Sequence, residues 1–145
     1  MLAVLDCPAL AAPTCTLAGV NLAFPAYDSR RVSPTDTIGQ INLSCAGIAG
    51  ELASFSLQLS PGTGAGFGSR SMRMGNFSLS YNLYTNPART SIWGDGNGGS
   101  YVLSDSFTVA RPGTSKSYAV YGRIPASQNV PIGTYTDLVT VTLSF

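Results

Sequence analysis

The chain has 145 residues, enough for one domain with its own apolar core. Charged residues make up 10% of it, against about 25% in ordinary globular domains, and the net charge is +1. No basic field exists to hold nucleic acid or anionic lipid, and no apolar run approaches the roughly 18 residues of a membrane helix.

Residues 1–12, MLAVLDCPALAA, lack a basic leader segment, and their apolar run is interrupted by Asp6 and Pro8. They read as the start of a mature or trimmed chain, or, through the A-x-A of Ala9 to Ala11, as the tail of a clipped signal. Either way the reading is a short extension over 1–13 and a folded unit over 14–145, outside the cytoplasm. A composition rich in Ser, Thr, Gly and Tyr and poor in charge fits that setting.

The chain then alternates with period two. TCTLAGVNL (14–22) is strand-like. In GQINLSC (39–45), Ile41, Leu43 and Cys45 share one face, opposite Asn42 and Ser44. Cys15 and Cys45 both lie in strand-like contexts, and an oxidising compartment would join them. Cys7 is left over: free, paired between chains, or competing with Cys15, three alternatives that stay open at this point. ASFSLQLS (53–60) turns Phe55, Leu57 and Leu59 inward and ends at the turn Pro61-Gly62. SPGTGAGFGSRSMRMGN (60–76) is too rich in glycine for core and too long for a tight hairpin, so it reads as an exposed loop. Its Phe67, Met72 and Met74 are either an adhesive apolar tip or residues folded back over an open end of the sandwich. GNFSLSYNLY (75–84) places Phe77, Leu79, Tyr81 and Leu83 on one face and is the cleanest strand pattern in the sequence.

WGDGNGGSY (93–101) carries Gly94, Gly96 and Gly99 in the G-x-G-x-x-G spacing of a dinucleotide-binding loop. That fingerprint needs a helix leaving the loop, and the following residues show no helical period. Asp95 and Asn97 offer oxygens, but a calcium loop needs more of them and a closing glutamate. The stretch reads as a turn built from Asp-Gly, Asn-Gly and Gly-Gly. Two more strands follow, SYAVYGRIP (117–125) and TYTDLVTVTLSF (134–145). In the last, Val139, Val141, Leu143 and Phe145 share a face that demands cover, and no later segment supplies the neighbouring strand. Segments of this kind, about six to seven, point to an all-β sandwich.

Catalytic chemistry has little to work with. Histidine is absent, the seven carboxylates Asp6, Asp28, Asp36, Glu51, Asp95, Asp105 and Asp137 show no spacing of a pair, and Lys116 is the sole lysine. The expectation is no enzyme, no cofactor and no metal.

Four stretches together are more specific: the Cys15 and Cys45 pair, YNLYTNPARTSIWGDG (81–96), VYGRIPASQNVPIGTYTD (120–137) and the terminal LVTVTLSF. From about residue 14 onward the chain resembles the spore coat protein U domain family, whose members include subunits of archaic chaperone-usher pili. The resemblance implies an incomplete immunoglobulin-like sandwich, secreted through the periplasm to the cell surface. It also implies polymerisation by donor-strand complementation, with neighbouring pilus subunits, a periplasmic chaperone and an outer-membrane usher as partners. On that basis Val139, Val141, Leu143 and Phe145 are the expected acceptor edge. Trp93 is expected to pack beside the Tyr81 and Tyr84 strand, with Pro87 and Gly94 setting turns. The expected function is a structural fibre subunit supporting adhesion or biofilm formation. A tip-type adhesin or a coat matrix protein is the alternative. The extension departs from a polymerising donor: Leu2, Val4 and Leu10 are broken by Pro8 and Pro13, which favours a subunit that receives a strand, or a trimmed chain.

Overall fold

The computed structural model describes residues 13–110 and 113–145; the extension with Cys7, Leu2, Val4 and Leu10 lies outside the described residues. Among the described residues nine strands, more than the six to seven expected because the 75–84 run divides and β4 is added, run in chain order: β1 (Thr14–Asn21), β2 (Thr35–Ala46), β3 (Leu52–Leu59), β4 (Ser71–Met74), β5 (Phe77–Ser80), β6 (Asn82–Tyr84), β7 (Leu103–Thr108), β8 (Thr114–Ile124) and β9 (Val141–Ser144). Apart from one 3-10 turn at Phe67–Ser69, no helix occurs among the described residues. The expected all-β sandwich is the fold observed.

One sheet has the order β1-β2-β8-β6 and the other β7-β3-β9, with β4 and β5 as a separate hairpin. Every named strand pair is antiparallel. The alternation seen in sequence sets the inner faces: Ile41, Leu43 and Cys45 of β2 and Phe55, Leu57 and Leu59 of β3 are all buried in one core. Cys15 and Cys45 are register partners on β1 and β2 and form a disulfide, tying the first strand to the second as expected.

At Leu22 the chain leaves β1 and crosses directly over Gly39, where a Cβ would meet the Asn21 carbonyl and the Leu22 backbone. A side chain there would push the crossing away, so glycine is required by close approach. The Asn21 side chain accepts from Gln40 N, its register partner at the end of β1, at 3.1 Å. Further on, Tyr27 and Gly133 pair as an isolated antiparallel bridge.

Three readings of the sequence are corrected. The run 75–84 is not one strand: it breaks at Tyr81, with β5 pairing β4 and β6 pairing β8, so the chain changes sheets. Its Phe77 is exposed, while Leu79, Tyr81 and Leu83 are buried. The run 134–145 is also shorter as a strand, since the ladder with β3 spans only Val141 to Ser144. Finally, 60–76 is not an exposed loop. It carries β4 and buries Arg70 completely.

Arg70 is held by carbonyls from distant parts of the chain. Its Nε and Nη2 donate to Ser60 O (3.2 and 2.7 Å), Nη1 to Asn82 Oδ1 (2.8 Å) and Nη2 also to Trp93 O (2.7 Å). All three acceptors are neutral, and burial lowers the guanidinium pKa from its ordinary value. The indole of Trp93 is itself fully buried, donating to Leu57 O at 2.9 Å, and its backbone N donates to Leu83 O. This places Trp93 beside β6, as the resemblance implied.

Candidate functional site

An open groove separates the free edge of β1 from the free edge of β9. Both strands end their sheets: among the described residues β1 pairs only with β2, and β9 only with β3. Between them lies a cavity of about 410 Å³. It is lined by the core residues Ile41, Leu59, Leu83 and Val120, by Met72 and Tyr81, and on the β9 side by Val139 and Val141.

The β1 wall depends on a bulge. Cys15 and Leu17 pair with Cys45 and Leu43 on the inner face, and the register then slips between Leu17 and Gly19. The slip makes Val20 the partner of Ile41, so Val20 faces inward despite its even position. Ile41 is 0% exposed, yet Val20 is 51% exposed. An inward-facing valine half in water means that the interior is open at its level. Leu138, on the opposite rim, is 79% exposed.

Charge is nearly absent from the groove. Among the described lining residues Asp137 is the one carboxylate, and it is engaged at the rim: it accepts from Tyr81 Oη (2.6 Å), Thr63 Oγ1 (2.7 Å), Thr63 N (3.0 Å) and Leu138 N (2.9 Å). Burial works to raise its pKa, but these hydrogen bonds outweigh burial and lower it. Burial, and then the bond to Asp137, push the Tyr81 phenol strongly upward, so it stays a neutral donor. The segment before β9 is further pinned by paired backbone bonds between Arg73 and Thr136 (2.8 and 3.0 Å).

Of the expected edge residues, Val139, Val141 and Leu143 pack partly buried against the core, and Phe145 is exposed beyond the ladder. Of the candidate adhesive residues, Met72 is in the core and Met74 is partly buried against it. Phe67 lies half-buried with the Arg70 guanidinium 5.5 Å above its ring. The two methionines thus turn toward the core.

The glycine-rich stretch is a turn. Gly94 N donates to Tyr101 O and Tyr101 N to Ile92 O, closing a loop in which Gly96, Gly98 and Gly99 all have positive φ. Asp95 Oδ1 accepts from Asn97 N within the loop. Among the described residues no three His, Cys, Asp or Glu side chains converge as a metal site would require, and no helix is long and apolar enough to cross a membrane.

YGRIPASQ, within one of the stretches that carry the resemblance, helps hold the fold. Gln128 lays its side-chain amide along β5, accepting from Ser80 N and donating to Ser80 O, both at 2.8 Å, while its backbone N donates to Tyr27 Oη. In YTNPART, Asn86 Oδ1 accepts from Thr90 N and Ser91 N, and Arg89 reaches across to the Gly122 and Thr37 carbonyls. Sequence reasoning missed Val20 as a groove residue, and only the bulge at β1 could have revealed it.

The chain matches the Spore Coat Protein U domain over residues 1–142. It is also 30% identical over 136 residues to Protein U of Myxococcus xanthus, covering 88% of this chain and 73% of that protein. The chain belongs to the Spore Coat Protein U domain family, and is a coat or fimbrial-type surface protein.

Proposed function

We propose that this chain is a structural subunit of a secreted surface fibre and works by accepting an extended apolar segment of another subunit into the groove between β1 and β9. The observation that carries this reading is the inward-facing Val20 with half its surface in water. An added strand would meet free backbone groups on both edges and bury alternate side chains over Ile41, Leu59 and Val120, the two components of recognition by strand addition. Neighbouring subunits are the working partners. A periplasmic chaperone covering the same groove in transit and an outer-membrane usher complete the route to the surface. No step calls for a cofactor or a catalytic group, and adhesion or biofilm formation follows from the fibre as a whole.

The test is thermal melting of the purified protein with synthetic peptides in trans: residues 1–12 of this chain, and a sequence alternating valine and threonine. The alternating peptide should raise the melting temperature, and Val141→Asp should abolish the gain. A melting temperature unchanged by both peptides would remove the reading.

A further inference from the structure

The sandwich has a second opening. In the sheet β1-β2-β8-β6, β6 pairs only with Tyr121 to Arg123 of β8, so the first part of β8 has no neighbour on that side among the described residues. Opposite it runs β7, the other edge of the sheet β7-β3-β9. Here too two edges face each other, and here too the inner positions are set by register. Asp105 pairs with the buried Phe55, and Lys116 with the buried Leu43, so both charged residues stand on inward-facing positions.

They meet across the opening. Lys116 Nζ donates to Asp105 Oδ2 at 2.6 Å, and the nearly buried Tyr118 donates its phenol to the same oxygen at 2.7 Å. Lys116 also lies 5.5 Å above the Tyr118 ring, and Tyr118 packs edge-on against Phe55. The other neighbour of Asp105, Phe55 on β3, is apolar, so Lys116 and Tyr118 are the titratable groups seen to bond it. None of the ion pairs among the described residues spans the β1–β9 groove.

We infer that the Asp105, Lys116 and Tyr118 cluster is a guard that keeps strand addition off the β7 edge, so that the subunit joins others through one flank only. A strand added along β7 would have to desolvate an ion pair or leave one member without its partner, at a cost an apolar edge does not impose. An exposed ion pair adds little to stability, so stability alone gives little reason for charges at inward positions. With the guard removed, the occupant of this edge is the β7 of a second copy: Leu103 and Phe107 supply the apolar positions on either side of Asp105. This inference goes beyond the groove reading: the guarding of β7 stands without it, and joining through the other flank rests on it.

The experiment uses the full chain carrying Val20→Asp, a rim change that puts a charge into the groove. Its association state is compared by sedimentation velocity with and without Asp105→Val plus Lys116→Val. The doubly apolar protein should shift from monomer to dimer with rising concentration, and its β7 amides should gain protection from hydrogen exchange. The charge swap Asp105→Lys with Lys116→Asp should remain as the parent. Should the valine pair fail to fold, the neutral pair Asp105→Asn with Lys116→Gln is read the same way and should also associate. A folded, monomeric guardless protein, or a swap that associates as strongly, overturns the guard. Association of the Val20→Asp parent with its β7 amides protected also overturns the guard, whereas association with those amides unprotected counts against the groove reading alone.

Discussion

The two open flanks of this sandwich have the same construction and opposite finishes. At each, the edge of one sheet faces the edge of the other, and alternation along the strands decides what points into the gap. Between β7 and β8 the gap holds Asp105, Lys116 and Tyr118, bonded to one another. Between β1 and β9 it holds Val20, Val139 and Val141, with no ion pair across the gap among the described residues. An isolated domain has reason to close both. The difference teaches that an open edge in this family member is a choice of residues at a few inward positions rather than a consequence of the fold.

The largest effect expected from breaking this contrast lies on the closed flank. Phe55→Ala removes a ring that touches both Phe107 and Tyr118, and should cost about 3–5 kcal/mol in urea denaturation. Next is the covalent tie beside the open flank. Replacing Cys15 and Cys45 by alanine releases a link across 30 residues of sequence, and should cost about 3–4 kcal/mol by the chain-entropy estimate. Peptide mapping without reduction should recover Cys15 and Cys45 linked.

Val20→Ala sharpens the comparison more finely. Because Val20 is half exposed in the free protein, the change should cost less than about 0.5 kcal/mol there. It should nevertheless remove a distinct part of any stabilisation gained on adding a strand peptide, since the lost methyls would be buried only in the occupied groove. A residue of the closed flank should show the reverse: a large effect on the free protein and none on peptide gain.

The smallest effect is that of acid. Hydrogen bonds from Lys116, then Tyr118, then Ser106 N hold the Asp105 carboxyl down to about 2. A folded-state pKa below the unfolded one means that the cluster contributes fully above about pH 4 and fades as pH falls through about 2. Melting curves across that window should show the Asp105→Asn protein losing less stability than the parent. The carboxyl is partly exposed, so the difference should be small.

Much of the fold was legible because alternation and burial are the same fact in a two-sheet sandwich. Ile41, Leu43, Cys45, Phe55, Leu57 and Leu59 needed nothing beyond the period of two. The period failed where the chain departs from straight strands. It could not show that Tyr81 is where one strand leaves its sheet, since Leu79 and Leu83 stay in phase across the break. Nor could it show Val20 facing the groove, since Leu17 and Val20 are out of phase until the bulge brings them together. Arg70 was illegible for another reason. A buried arginine is acceptable only when acceptors satisfy its guanidinium, and here Ser60, Asn82 and Trp93 supply them from separate parts of the chain. Asp105 and Lys116 were each visible in the sequence, but their meeting depends on two different sheets.

The Cys15–Cys45 link gives the two walls of the groove unequal mechanical standing. β1 is covalently fastened to a twelve-residue neighbour, whereas β9 is held to β3 through four residue pairs. Were a strand seated between them as proposed, tension through it would meet one wall whose peeling is arrested at Cys15 and another held by its ladder alone. Under shear, β9 would then yield first, and the covalent link would mark the side on which a pulled joint keeps its hold.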